Sequence, residues 1–296
     1  MTSKSNLLFV INPIAGGKEK QHLQSVIERE LNHSLFHYEF AYTESVDHAR
    51  KLSSSAAYLG FDIVAAVGGD GTVNEVARGI LERRDEEATL AIIPSGSGNG
   101  LARHLRIPMQ TSAAVRLINE LKTTRADVGL MNDIPFFCVA GIGFDAHISQ
   151  LFAHSKTRGF LGYVMSALRE LRLYQPGIYE VRAAGQTIRE RAFLISIANS
   201  SQYGNDAYIA PDASITDGLL DVCILSPFPY YRYPEMALRL MTGRIADSRY
   251  MKIVRTGEAS ILREEEGIVH LDGEPKQMGR QLDIRVIPSS ISIVVP

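Results

Sequence analysis

Cysteine is nearly absent from this chain. Cys138 and Cys223 are the only two, each inside an apolar run. That excludes a disulfide framework and reads as buried free thiols in a reducing cytoplasm. An excess of charge of either sign is missing too: the formal net charge is -2, which argues against a nucleic-acid binder held by bulk electrostatics. No apolar stretch is long enough to span a bilayer. The polar start Met1 to Asn6 and the short run Leu7 to Ile11 lack the apolar core of a secretory signal. Tandem repeats and low-complexity segments are absent as well. What remains is an ordinary globular composition, 45% hydrophobic and 22% charged over 296 residues. Such a chain can bury a packed core, and its length fits two domains.

The first part alternates strand and helix signals. Leu7 to Asn12, Leu35 to Tyr42, Phe61 to Val67 and Ala88 to Pro94 read as strands. Between them, Leu23, Val26, Ile27 and Leu31 mark one helix, Ser45 is the N-cap candidate for a second through Leu59, and Val73, Val76, Ala77, Ile80 and Leu81 mark a third. A short helix ends near Leu105 and another covers about Thr111 to Leu121. This pattern predicts a three-layer α/β nucleotide domain over residues 1–126, with ligands at the carboxyl ends of its parallel strands. From Asp127 the character changes to short strands joined by turn signals: Val128 to Val139, Gly177 to Ala184, Thr187 to Ala198, Gly218 to Leu225, Met251 to Thr256, Glu258 to Leu262, Ile268 to Leu271, Leu282 to Ile287 and Ile291 to Val295. These predict an antiparallel β-sandwich over 127–296, interrupted by helices near Leu151 to Tyr174 and Pro234 to Met241. The fold class is therefore α/β plus all-β, with the active site expected in the interdomain cleft and the last strand a candidate to pair back toward the first domain.

The segment Val67-Gly68-Gly69-Asp70-Gly71-Thr72-Val73-Asn74-Glu75 carries the most chemistry. Glycines crowd it where the backbone must turn sharply, and a hydroxyl opens a helix. Free amides at a helix start, together with the helix dipole, favour anionic oxygen. A carboxylate beside phosphate needs a divalent cation or a base between them, so Asp70 suggests metal-phosphate chemistry. The plain alternative is an ordinary tight turn. Strand, glycine turn and helix in succession tip the balance toward phosphate.

Two more glycine loops end strands. Asn12 to Lys18 offers an ammonium at a helix start for a nucleotide phosphate, against a solvated surface lysine as the alternative. Pro94 to Ala102 offers the backbone of Gly96, the hydroxyl of Ser97 and the amide of Asn99, or is a plain connector. Later come Ala140 to Asp145, Thr216 to Asp221 and His270 to Pro275. In the last of these, Asp272 and Glu274 flank a glycine at a strand end. Alternation would point both carboxylates one way if the strand continued, and the glycine permits a bend that aims them. One acid could take a hydroxyl proton while the other helps hold a cation. A hairpin turn with two solvated acids is the competing reading.

The ordered set Asn-Pro-x-Ala-Gly-Gly, Gly-Gly-Asp-Gly-Thr-Val-Asn-Glu-Val, Pro-Ser-Gly-Ser-Gly-Asn, Gly-Ile-Gly-Phe-Asp-Ala, Asp-Gly-Leu-Leu-Asp and Leu-Asp-Gly-Glu-Pro runs from Asn12 to Pro275. It resembles the diacylglycerol kinase catalytic-domain family, which includes soluble prokaryotic lipid kinases, sphingosine kinases and ceramide kinases. The resemblance implies ATP-dependent phosphorylation of a lipid hydroxyl with Mg²⁺, by a cytoplasmic protein that meets its lipid at the membrane surface. By motif match, Gly69, Asp70, Gly71 and Thr72 would line the ATP phosphates, joined by Ser97 and Thr43. Asp272 matches the general base, with Glu274 and Asp70 completing an acidic metal and water network. Asp217 and the carbonyl of Leu219 match a metal site whose third position here is Ser214, a weaker ligand than a carboxylate. Gly100 departs from the aspartate usual in the diacylglycerol-type members and brings the loop nearer the sphingosine-kinase form.

An NAD kinase or sugar-phosphate kinase shares the Gly-Gly-Asp-Gly turn and is the rival enzyme. A catalytically silent nucleotide sensor is the rival outside enzymes, and Asp70, Asp272 and Glu274 together speak against it. Neither Asn12 to Lys18 nor Gly68 to Thr72 has the Gly-x-Gly-x-x-Gly spacing of dinucleotide oxidoreductases. Basic residues among aromatics in Leu151 to Tyr174 suit either an interfacial helix or one packed on the sandwich. Pro227 to Pro234 is a second candidate rim, and Asp145 a candidate for touching the lipid headgroup. A homodimer is compatible with the sequence, which leaves the oligomeric state open.

Overall fold

Strand β1 (Ser5–Ile11) buries every residue from Leu7 to Ile11. A run like that needs cover on both faces, which suits the interior of a parallel sheet. In the computed structural model, which describes residues 4–14, 21–82, 88–153, 170, 171 and 173–296, β1 pairs in parallel with β2 (Phe36–Tyr42) and β3 (Ile63–Gly68). β3 pairs in parallel with β4 (Thr89–Pro94), and β4 with Ser292 and Ile293 near the chain end. Helices α1 (Gln21–Glu30), α2 (His48–Tyr58), α3 (Asp70–Leu81), α4 (Gly100–His104) and α5 (Thr111–Ile118) complete this α/β unit of residues up to 126 with 289–296. Asn119 and Arg116 tie α5 to Glu30 of α1. α2 and α3 touch so closely that a Cβ on Gly79 would stand 2.3 Å from the Arg50 carbonyl oxygen. Ser53 uses that proximity to donate to the Val76 carbonyl at 2.6 Å.

β5 (Thr123–Met131) carries the chain into the second unit, residues 127–288. There β6 (Ile134–Phe136), β7 (Val139–Gly143), β8 (Gly177–Ala183), β9 (Gln186–Ala192), β10 (Leu194–Ala198), β11 (Leu220–Leu225), β12 (Met251–Thr256), β13 (Glu258–Arg263), β14 (Gly267–Leu271), β15 (Glu274–Met278) and most of β16 (Gln281–Val294) pair antiparallel in two sheets. One runs β12-β11-β10-β7-β14-β15; the other includes β16-β13-β8-β9. Ile142, Ile197, Val222 and Val269 of the first meet Val181, Ile261 and Leu282 of the second in one core. The opposite face of the six-stranded sheet is covered in turn. α6 (Phe144–Ala153) and α7 (Tyr233–Met241) bring Phe144, Ile148 and Met236 onto Leu194, Cys223 and Leu225. Burial pushes the Cys223 thiol far above its ordinary pKa, so it is an inert core residue. Cys138 is only half-buried.

Several expected boundaries are corrected. Ser45 does not cap α2: the helix starts at His48, behind Asp47 in the left-handed region. The run expected as one strand from Val128 to Val139 is a hairpin, β5 and β6, turning on Asn132 and Asp133 with φ of 47° and 64°. Two positive φ values are what a tight two-residue hairpin needs. The run Thr187 to Ala198 breaks at Phe193, and its halves join different sheets. Conversely, the two last strands are one. β16 pairs antiparallel with β13 up to Arg285, passes Pro288 and Ser289 (φ 49°), and then runs parallel to β4. Most of the segment Leu151 to Tyr174 lies outside the described residues.

Candidate active site

In the first unit, Asn12, Thr43, Gly68 and Ser95 stand at the carboxyl ends of β1, β2, β3 and β4, which are consecutive in the sheet. Backbone bonds stitch these ends together. Thr43 N donates to Ile11 O at 2.9 Å, Asn12 N to Val67 O at 3.0 Å, and Ser95 N to Gly68 O at 2.7 Å. Thr72, buried in the first turn of α3, accepts a hydrogen bond from Asn12 Nδ2 at 3.1 Å and keeps its own hydroxyl proton to donate. The fold thus gathers Asn12, Thr43, Gly68, Gly69, Asp70, Gly71, Thr72, Gly96, Ser97 and Asn99 along one edge. Asn74 is buried one turn further into α3. Lys18 lies outside the described residues.

Two glycines divide the work here. A Cβ on Gly96 would stand 2.5 Å from Gly69 Cα, so the second and third glycine loops approach backbone to backbone. A Cβ on Gly71 would meet nothing within 4 Å. Gly71 therefore leaves open space before the amides of α3's first turn, which have no acceptor within the helix. These features fit a phosphate. Asp70 is tied to the third glycine loop. Its Oδ2 accepts Asn99 N at 2.8 Å and its Oδ1 accepts Gly100 N at 2.7 Å, so the carboxylate ties the head of α4 to α3.

In the second unit Asp272 and Gly273 form a two-residue hairpin turn between β14 and β15, with φ of 51° and 85°. Asp272 and Glu274 therefore do not share one continuing strand, and Glu274 sits across from Leu271 in the hairpin register. Nor is the turn a pair of solvated acids. Asp272 Oδ2 accepts Phe137 N at 2.8 Å, and Oδ1 accepts Cys138 N at 2.8 Å and Val139 N at 3.0 Å. Three N–H donors stabilise the carboxylate's charge and fix its direction.

Beneath that turn lies a buried polar row. Gly141 of β7 stands between Ser196 of β10 and His270 of β14 in register. Its missing side chain makes room for the Asp145 carboxylate, since a Cβ there would stand 2.2 Å from Asp145 Oδ2. That oxygen accepts from Ser196 at 3.0 Å and Tyr203 at 3.1 Å and lies 3.2 Å from His270 Nε2. Gly273 N donates to His270 Nδ1 at 3.3 Å, which places the ring proton on Nε2, toward Asp145. Asp145 is 4% exposed, so the expectation that it contacts a headgroup is corrected: it is a buried acceptor under the Asp272 turn. Arg263 braces the same hairpin by donating to the carbonyls of Gly267, Ile268, Met278 and Gly279. Burial pulls its guanidinium below the ordinary value. The sequence signalled Gly141 and Asp145 in Gly-Ile-Gly-Phe-Asp-Ala and the histidine inside His-Leu-Asp-Gly-Glu, but not Ser196 or Tyr203.

Ser214, Asp217 and Leu219 lie on one turn. Ser214 Oγ is engaged with Thr216, and Asp217 Oδ1 accepts Leu219 N at 3.0 Å. The buried carboxylate of Asp127 anchors the turn by accepting Gly218 N at 2.7 Å. One exposed carboxylate, a hydroxyl and a carbonyl are a poor match for a hard cation that takes six or more oxygens. Among the described residues no group of three or more His, Cys, Asp or Glu could hold a metal ion.

Two family models match the chain. The family "diacylglycerol kinase catalytic domain" matches residues 6–131, and the "YegS C-terminal NAD kinase beta sandwich-like domain" matches residues 138–295. A probable lipid kinase YegS-like of Pseudomonas aeruginosa is 29% identical, covering 99% of this chain and 95% of the relative. The corresponding protein of Chromohalobacter salexigens is 30% identical over 76% of this chain and 73% of its own length. The diacylglycerol kinase of Bacillus subtilis is 27% identical over 90% and 88%. A crystal structure of a diacylglycerol kinase from Bacillus anthracis shares the fold, with a TM-score of 0.79 at 21% identity over 100% of this chain and 98% of the other.

Proposed function

Because the chain belongs to the diacylglycerol kinase catalytic-domain family, we propose that it transfers the γ-phosphoryl group of ATP to the hydroxyl of a lipid alcohol. Diacylglycerol and sphingoid bases are the acceptors of first choice. The observation that supports this most is that each unit carries one built feature: in the first, an open, amide-lined helix start at Gly71 and Thr72, and in the second, a carboxylate at Asp272 held by three backbone amides.

The first unit binds the donor. Phosphate oxygens take the amides of Gly71 and Thr72 and the proton of the Thr72 hydroxyl, with Ser97 reaching in from its exposed loop position. Neutralisation of the phosphate charge is the contribution expected of Mg²⁺ brought in with the nucleotide. The second unit supplies the base. Asp272 accepts the proton of the lipid hydroxyl as that oxygen attacks phosphorus in line with the departing ADP. Because its carboxylate is already aimed, no rotamer search precedes the proton transfer. Glu274 opens the next strand and keeps a second acid near the turn.

The test is transfer of label from γ-labelled ATP to diacylglycerol, sphingosine, ceramide and NAD. NAD is included because the second unit matches a sandwich named for NAD kinase. Label is expected in a lipid, and Asp272→Asn is expected to slow that transfer by a factor on the order of a thousand. Unchanged turnover in the variant at saturating lipid and ATP would remove Asp272 as the base. Label in NAD and in no lipid would overturn the acceptor class.

A further inference from the structure

Helix α7 is built inside out on one side. Pro234, Ala237, Leu238 and Met241 recur at helical spacing, and all four are exposed. Leu238 is 64% and Met241 49% exposed, while just before the helix Tyr230 is 72% and Tyr231 65% exposed. An apolar stripe at that spacing ordinarily faces a core. This helix already has a core face: Met236 is buried, and Leu240 and Tyr233 pack with it. Aromatic packing anchors the start of the segment. Phe228 packs edge-on against Tyr233, with ring centroids 5.0 Å apart, and lies 5.7 Å from Tyr250. Phe228 and Tyr233 are thus turned inward while Tyr230 and Tyr231 are turned out.

The sequence around the stripe is basic. From Pro227 to Lys252, Arg232, Arg239, Arg244, Arg249 and Lys252 stand against Glu235 and Asp247. Arg232 and Arg239 pair with Glu235, and Lys252 pairs with Glu190. Arg244 and Arg249 are exposed. The first unit offers an instructive contrast: Val46, Tyr58 and Leu59 are as exposed, but Val46 sits between Glu44 and Asp47 rather than among arginines.

We propose that the face formed by Tyr230, Tyr231, Leu238 and Met241 docks onto an anionic lipid bilayer, the apolar side chains entering the headgroup region and Arg244 and Arg249 meeting lipid phosphates. Exposed tyrosines beside aliphatics suit a boundary that is apolar on one side and wet on the other. Arginine forks match phosphate, and each basic residue near an anionic leaflet adds to binding. The docking deepens the proposed function, since it would bring the protein to the phase that holds a lipid acceptor.

Sedimentation of the full chain with vesicles reads binding without reading catalysis. Vesicles of phosphatidylcholine mixed equally with phosphatidylglycerol are expected to carry the protein down at low salt. Vesicles of phosphatidylcholine alone are expected to carry down far less. Leu238→Glu with Met241→Glu is expected to weaken the partition roughly tenfold or more, and Arg244→Glu with Arg249→Glu by a similar factor. All four positions are exposed, so both double variants are expected to keep the parent's melting temperature. Leu59→Glu is the control and is expected to bind as the parent does. Failure of the parent to sediment with the anionic vesicles overturns the proposal, as does undiminished binding by both double variants. A dimer in solution that Leu238→Glu with Met241→Glu dissociates also overturns it, by giving the face to a second copy. Turnover of a short-chain lipid alcohol in true solution needs no bilayer and is expected to be unchanged in these variants. Its absence in the parent would count against the kinase reading, whatever the vesicles show.

Discussion

The same dipeptide, Asp-Gly, occupies the critical turn of each unit and takes opposite backbone forms. Asp70-Gly71 opens a twelve-residue helix. Asp272-Gly273 closes a hairpin, both residues with positive φ. The flanks decide: after Gly71 the apolar residues recur at helical spacing, whereas after Gly273 the chain returns as β15 beside β14. What the two turns share is the use of the acid. Each carboxylate accepts backbone amides from a distant segment of its own unit, two for Asp70 and three for Asp272. Both acids are therefore structural ties before any chemistry is asked of them.

That comparison orders the expected losses. Asp272→Ala leaves three amides without their acceptor and is expected to destabilise the second unit by about 3 kcal/mol, given about 1 kcal/mol for each lost partner in a half-exposed turn. Asp70→Ala leaves two and is expected to cost about 2 kcal/mol on the same reasoning. Urea unfolding followed by a probe in each unit measures both. A larger loss for Asp70→Ala than for Asp272→Ala would break the comparison, because the counting of amides would then not control the cost.

Gly71→Ala sharpens the other side of it. Outside its chain neighbours and its own helix backbone the new methyl group meets nothing within 4 Å, so stability is expected to stay within about 0.5 kcal/mol of the parent. The space it takes is the space left for phosphate. ATP affinity is expected to fall about tenfold, or about 1.4 kcal/mol, measured by calorimetric titration. A destabilised protein with unchanged ATP affinity would mean that Gly71 serves the fold and not the nucleotide.

Much of the first unit was legible because its signals are local. Leu7 to Ile11, Ile63 to Val67 and Leu90 to Ile93 are apolar without a break, as strands covered on both faces must be, and glycine loops follow them. In the sandwich, β10 and β11 are wholly buried for the same reason, one face against the second sheet and one against α6 and α7. What the sequence hid depends on partners far apart in the chain. Ser196 and His270 reach Asp145 across 51 and 125 positions. No spacing rule links them, and Gly141 makes room for them only once three strands stand in register. The role of Asp272 was legible as a turn acid in a motif, but its three amide donors were not, since residues 137–139 carry no side-chain signal for them.

Glu75 gives the smallest expected effect and the cleanest separation. It belongs to the same glycine-rich motif as Asp70, yet its carboxylate points to another helix. Oε1 accepts Asp47 N at 2.9 Å and Oε2 accepts Ala49 N at 3.1 Å, so Glu75 caps the start of α2, which has no side-chain cap of its own. Glu75→Gln keeps the shape but turns one acceptor into a donor facing an N–H, and it removes a negative charge from a helix start. The expected loss is about 1 kcal/mol in urea unfolding, with ATP affinity unchanged. A fall in ATP affinity comparable to that of Gly71→Ala would join Glu75 to the nucleotide edge. An unchanged affinity leaves the motif divided, with Gly71 and Thr72 serving phosphate and Asp70 and Glu75 holding neighbouring helices where phosphate needs them.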